Sequence, residues 1–193
     1  MPTVGVLAIQ GDFHEHKEAL LRLGVNSREI RARSHLSGID GLIIPGGEST
    51  TIVQLIDKFQ LRDTLIDEVN SGLPVWGTCA GMIVLANRLT ESRPSPLNLM
   101  DIEVSRNAFG RQIHSFELDI NIAGVQGPPF PAIFIRAPIV KNCGAMVKIL
   151  ASIENGFPVA VRQGHILATS FHPELTNDDR IHRLFMDIVE GSG

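Results

Sequence analysis

Over the first ninety positions, apolar residues fall into short, nearly unbroken runs separated by turn residues and by stretches of helical period. Residues 4–9 (Val-Gly-Val-Leu-Ala-Ile), 41–44 (Gly-Leu-Ile-Ile) and 73–76 (Leu-Pro-Val-Trp) read as strands buried on both faces, the signature of a parallel sheet. Between them, residues 14–23 place Ala19, Leu20 and Leu23 on one side of a helix that Gly24 stops. A weaker strand follows near 28–32. Ser49 or Thr50 is expected to cap a helix running to about Phe59, residues 61–70 form another, and residues 80–89 a third behind the strand at 73–76. Strands alternating with helices predict a three-layer α/β/α sandwich, flavodoxin-like, with a mainly parallel sheet.

The second half has a different texture. Residues 91–98 hold two prolines and no period, and 124–131 form a Pro/Gly connector. Short alternating or apolar segments at 102–104, 116–120, 132–135, 147–153, 158–161 and 166–170 read as strands, and residues 177–189 as a closing helix. The segment 101–165 is expected to add antiparallel strands at one sheet edge. No repeat or composition shift marks a boundary, so residues 1–193 are read as one domain.

Composition narrows the class. With 193 residues, 44% of them hydrophobic, the chain is long enough to bury roughly 70% of its unfolded surface. A net charge of −4 with no basic block argues against nucleic acid as a partner. No uncharged stretch is long and apolar enough for a membrane span, and the first residues lack a basic, cleavable leader. A cytoplasmic protein is expected. Two cysteines, Cys79 and Cys143, cannot build a disulfide framework.

Three constellations carry candidate chemistry. Gly-Thr-Cys-Ala-Gly at 77–81 lies between a buried strand and a helix. A tight turn there strains the central residue, and flanking glycines remove clashing side chains, so Cys79 is placed as a nucleophile at a helix N-terminus that favours its thiolate. Cys143 has no such context and reads as structural. Phe-His-Pro-Glu at 171–174 follows a strand; in an extended segment His172 and Glu174 share a side, so the carboxylate can orient an imidazole acting as base. Pro-Gly-Gly-Glu-Ser-Thr at 45–50 can offer backbone N–H groups to a developing oxyanion, or can simply cap a helix. His14 and His16, two apart on a helix, make a poor metal pair and both read as exposed. His35, His165 and His182 have no partner motif, His114 near Arg111 is open between a structural and a functional role, and no Cys or His cluster has zinc spacing. No metal and no cofactor is expected.

Taken together, these segments resemble the class I (triad-type) glutamine amidotransferases, and among them the glutaminase subunits of pyridoxal 5′-phosphate synthase. The resemblance rests on Val-Gly-Val-Leu-Ala-Ile-Gln-Gly-Asp-Phe-His-Glu-His at 4–16, Gly-Leu-Ile-Ile-Pro-Gly-Gly-Glu-Ser-Thr-Thr at 41–51 and the Cys79 turn. It extends through Arg-Asn-Ala-Phe-Gly-Arg-Gln at 106–112, Phe-Ile-Arg-Ala-Pro at 134–138 and Ala-Thr-Ser-Phe-His-Pro-Glu-Leu-Thr at 168–176. Trp76 and Met82 depart mildly from the pattern around the cysteine. The resemblance implies hydrolysis of L-glutamine to glutamate and ammonia through a thioester on Cys79, with His172 as base and Glu174 holding its ring. It implies an oxyanion hole from the N–H groups of Gly47 and Ala80, and glutamine binding by Gly47, Glu48, Ser49, Arg106, Ile135 and Arg136, one arginine pairing with the substrate carboxylate. It also implies delivery of ammonia to a separate synthase subunit that forms the vitamin B6 ring, with Gln10 and the segment after the first strand in that contact. A peptidase- or deglycase-like enzyme with the same cysteine turn, and a non-catalytic subunit on the same scaffold, are the competing readings.

Overall fold

The computed structural model describes residues 1–106, 115–154 and 156–191. Its chain order begins β1 (Thr3–Leu7), α1 (Phe13–Arg22), β2 (Asn26–Ile30), β3 (Gly41–Ile44), α2 (Ser49–Lys58), α3 (Arg62–Asn70), β4 (Val75–Thr78) and α4 (Ala80–Leu85). It continues with β5 (Ala86–Leu89), β6 (Met100–Ser105), β7 (Ser115–Ile120), β8 (Phe130–Ile135), β9 (Ile139–Cys143), β10 (Lys148–Ser152), β11 (Pro158–Gln163), β12 (Ile166–Thr169) and α5 (Arg180–Val189).

Seven strands form the central sheet in the order β10-β11-β12-β4-β3-β1-β2. The five from β12 to β2 run parallel, and β11 and β10 add antiparallel pairs at one edge. The 2-1-3-4 start followed by one more parallel strand is flavodoxin-like wrapping. Alternation along the strands divides the core. Val4, Val6, Ile43, Trp76 and Leu167 face one layer with Leu20 of α1 and Ile181 and Phe185 of α5. Leu7, Leu42, Ile44, Val75 and Ala168 face the other, with Ile52 and Ile56 of α2, Leu65 of α3 and Ile83 of α4. Each strand is apolar on both sides because helices cover both.

Four expectations need correction. The helix expected over residues 80–89 ends at Leu85, where Ala86 turns extended (φ −57°, ψ 153°) and β5 begins. All six residues of α4 are buried, so its sequence shows no amphipathic period to mark where it stops. β9 was not anticipated. The strands of 101–165 do not all extend the sheet edge: β5, β6 and β9 form a separate three-stranded sheet on the α2–α4 side. The hairpin β7–β8 buries Phe130 and Phe134 in the layer of α1 and α5. The N-cap of α2 is neither Ser49 nor Thr50 but Glu48, whose carboxylate accepts from the Thr50 N–H at 3.3 Å.

Candidate active site

Two neighbouring parallel strands bring the sulfur and the imidazole together. β4 and β12 pair in register to Thr78 opposite Thr169, so both chains leave the sheet at the same edge, at the carboxyl ends of their strands. The Cys79 N–H then donates to the Thr169 carbonyl at 2.8 Å, and the Trp76 indole N–H donates to the Thr169 hydroxyl at 3.1 Å. Cys79 stands at φ 48°, ψ −103° at the start of α4, a left-handed conformation that a side chain adopts only under strain. The glycines around it are explained by space. A Cβ on Gly77 would lie 2.5 Å from the Gly81 backbone, and one on Gly81 would lie 2.0 Å from the Ile44 carbonyl oxygen.

His172 is fixed from behind. Its backbone N–H donates to the Ile133 carbonyl of β8 at 2.8 Å, and its Nδ1–H donates to Glu174 Oε1 at 2.7 Å. On the other side the imidazole faces the cavity wall that Cys79 shares, close enough for the two side chains to interact electrostatically. Burial disfavours charging this ring, but the Cys79 thiol and the Glu174 carboxylate outweigh it and push its pKa up to about 10. Burial raises the pKa of Glu174, against the opposing pull of His172. Asp12 Oδ2 adds a second carboxylate 3.4 Å from Nδ1, and its own pKa is raised, chiefly by burial.

These groups border a cavity of about 680 Å³. Cys79, Ala80 and His172 line it together with Gly47, Glu48, Ser49, Arg106, Ile135 and Arg136, while Glu174 sits behind His172, almost fully buried. The sequence therefore named nine residues that share one cavity and the acid beneath it. Arg136, like Cys79, is held at positive φ (44°). Arg106 Nη2 reaches Glu48 Oε1 at 3.1 Å and its Nη1 donates to the Arg93 carbonyl, while its buried Nε has no partner among the described residues. The Cys79 thiol lies 3.8 Å from the Ile135 carbonyl. Gln10 also lines the cavity, its side-chain carbonyl accepting the Glu48 N–H at 2.9 Å, and a Cβ on Gly47 would collide with it. Arg111, His114 and the rest of the 106–112 motif beyond Arg106 lie outside the described residues.

One expectation fails at the site. His14 is exposed, but His16 is completely buried, its Nε2 3.1 Å from the Thr78 hydroxyl and 3.5 Å from Glu174 Oε2. Its Nδ1 meets Nε2 of His182, also fully buried, at 2.9 Å. Asp12, His172 and Glu174 are the one described group whose possible metal-ligand atoms all lie within 4.8 Å of one another. The 2.7 Å contact between His172 and Glu174 is a carboxylate–imidazole hydrogen bond, which accounts for that proximity.

A strained cysteine, a hydrogen-bonded imidazole and a buried carboxylate reproduce the logic of nucleophile, base and orienting acid. The family model described as "SNO glutamine amidotransferase family" matches residues 6–191. A protein of Frankia alni named "Pyridoxal 5'-phosphate synthase subunit PdxT" is 52% identical over 194 residues, covering 100% of this chain and 97% of its own. One of the same name from Salinispora arenicola is 49% identical, covering 99% and 98%. A solved structure titled "Crystal structure of glutamine amidotransferase" superposes with a TM-score of 0.91 at 48% identity, covering 97% of this chain and 98% of that one. The chain belongs to the SNO glutamine amidotransferase family.

Proposed function

We propose that residues 1–193 form one glutaminase domain. It hydrolyses L-glutamine to glutamate and ammonia and supplies the ammonia to a second subunit of a pyridoxal 5′-phosphate synthase. The observation that carries the reading is that Cys79 and His172 line one cavity, with Glu174 hydrogen-bonded to the imidazole from behind. The relatives' name, subunit of that synthase, supports the choice of partner.

In this reading Cys79 gives its proton to His172, and the sulfur attacks the side-chain amide carbon of glutamine. The negative oxygen of the tetrahedral intermediate is received by the N–H groups of Gly47 and Ala80; one such donor contributes about 10²–10³ in rate elsewhere. His172 returns the proton to the amide nitrogen, the C–N bond breaks and ammonia leaves. Water then attacks the thioester, giving its proton to His172, and the C–S bond breaks to release glutamate and the thiol. Glu174 keeps the Nδ1–H of His172 pointed away from the sulfur throughout, so the other ring nitrogen does the transfer. Glu48, Ser49, Ile135 and Arg136 border the substrate, and Arg106, whose side chain lines the same cavity, takes the glutamine carboxylate. Gln10, on the loop after β1, belongs to the docking face of the synthase subunit as well as to the cavity wall.

We also assign the chain to the cytoplasm. Both cysteines are free, and among the described residues no helix is long and apolar enough to cross a membrane. The test is ammonia release from glutamine with and without purified synthase subunit. Release is expected to rise with the partner and to vanish in Cys79→Ala, and a glutamine-derived diazoketone should add its mass at Cys79. Undiminished release by Cys79→Ala overturns the proposal.

A further inference from the structure

Behind the acid lies a pair of buried histidines that the mechanism above does not use. His16 comes from α1 and His182 from α5, on the same side of the sheet, and Trp76 packs edge-on against both at centroid distances of 5.4 and 4.9 Å. A fully buried imidazole costs several kcal/mol of solvation unless its nitrogens are used. Here three of the four ring nitrogens have polar neighbours, and those neighbours select one arrangement of protons.

If His16 carries its proton on Nε2, that N–H faces Glu174 Oε2 at 3.5 Å and the Thr78 hydroxyl at 3.1 Å. Nδ1 then accepts from the His182 Nε2–H at 2.9 Å. Only the His182 Nδ1 lone pair is left over, and it has no partner among the described residues. The opposite arrangement points a lone pair of His16 at a carboxylate oxygen and leaves a buried N–H orphaned on His182. Unsatisfied N–H groups are the rarer and costlier kind. The first arrangement is selected. It also gives Oε2 of Glu174, which accepts no hydrogen bond among the described residues, a donor to face. Contacts of this kind are commonly long in a free enzyme and tighten when the reacting complex forms.

We infer that His16 is a positioning residue for Glu174, with His182 fixing its tautomer. The polar series that begins at the Cys79 sulfur therefore continues past Glu174 and ends at α5. One carboxylate oxygen is bonded to the base and the other faces the His16 N–H at 3.5 Å, which opposes rotation of the carboxylate plane and with it of the His172 imidazole. The Thr78 hydroxyl ties the same histidine to the residue before the nucleophile. Burial, with the neighbouring His182 and His172, holds the pKa of His16 well below its ordinary value, so it acts as a neutral donor and not as a charge. The other titratable groups facing the pair are Asp12 beside His172 and Glu174, and Asp179 and Arg22 beside His182.

This inference rests on the glutaminase reading, and its test separates the two. Ammonia release is measured on the full chain with its synthase partner for wild type, His16→Leu and His16→Gln; the glutamine side chain keeps an N–H near the position of Nε2. His16→Leu is expected to lower kcat about 10–100-fold, the usual cost of losing an orienting partner, with KM for glutamine unchanged. Without its donor, Oε2 is further desolvated and Glu174 takes up a proton at higher pH. The acidic limb of the kcat profile should therefore move upward in His16→Leu and return in His16→Gln. Wild-type kcat and pH profile in His16→Leu overturn the inference, as does equal loss in both variants with the limb unmoved, which would mean packing alone. Should His16→Leu fail to fold, His182→Leu and His182→Gln make the same comparison through the tautomer, with the same two outcomes. A wild type that releases no ammonia from glutamine sinks the functional reading instead.

Discussion

Gly81 is the residue on which the cysteine turn depends, and Gly81→Ala is the most direct mechanical test of the site. A Cβ at this position would sit 2.0 Å from the Ile44 carbonyl oxygen and 3.0 Å from its carbon, more than 1 Å inside ordinary contact. Both obstacles are backbone, at the end of β3, so no side-chain rotation relieves the clash; α4 and β3 must separate. Overpacking of this kind costs about 1–3 kcal/mol or more. The displaced strand end runs directly into Pro45-Gly46-Gly47, while Cys79 sits at the other side of the contact. A misplacement of about 1 Å between reacting groups is worth about 10²-fold in rate. Gly81→Ala should therefore lose stability in urea unfolding and, where it still folds, lose glutamine turnover about 100-fold. Gly72→Ala is the control. Gly72 has φ +108° with nothing within 4 Å of its missing Cβ, so alanine there adds backbone strain of about 1–3 kcal/mol far from the cavity. It should destabilise without slowing the folded enzyme. A Gly81→Ala protein with wild-type stability and turnover refutes the reasoning.

Further expectations follow from the same contacts. Burial lowers the pKa of His182 from 6.5 to about 4. Between those values the unfolded chain binds a proton that the folded chain refuses. Its stability contribution is whole above about pH 6.5, falls as the pH drops and is lost below about 4, on the order of 3 kcal/mol. Urea midpoints measured from pH 7 to 4 should fall accordingly, and less steeply in His182→Leu. Phe185, fully buried in α5 against Trp76 at a centroid distance of 5.7 Å, should cost about 3–5 kcal/mol when cut to alanine, read by thermal unfolding followed through the single tryptophan. Arg106→Ala should raise KM for glutamine more than tenfold, since a charge-assisted hydrogen bond contributes about 1.5–3 kcal/mol, and should leave Cys79 open to small alkylating reagents. An unchanged KM removes Arg106 from the substrate site.

Much of this site could be read from spacing because its parts lie at the ends of strands buried on both faces. The apolar runs ending at Ile44 and Trp76 locate the glycine pair and the cysteine turn without three-dimensional information. What the runs cannot show is where an all-apolar segment changes from helix to strand, as it does at Ala86. The burial of His16, by contrast, has a signal in the sequence. Buried Ala19 and Leu20 lie three and four positions after it, so it falls on the apolar stripe of α1, and His182 stands in the same relation to Phe185 and Met186 in α5. The two-residue spacing from exposed His14 says only that the pair shares no face; the phase against Ala19 and Leu20 says which face His16 takes. Gln10 and Asp12, on the loop after β1, stand in the quoted 4–16 motif, but no spacing rule places them in the cavity wall with residues far along the chain.

The β8 strand touches both reacting residues. Its Ile133 carbonyl holds the His172 backbone, and two residues on, its Ile135 carbonyl lies against the Cys79 thiol. Base and nucleophile thus rest on one ribbon whose only strand partner among the described residues is β7 and which stands apart from the seven-stranded sheet. A push on the outer face of that ribbon reaches sulfur and imidazole in the same stroke. A neighbouring macromolecule leaning there gains a lever on the reaction without ever entering the pocket.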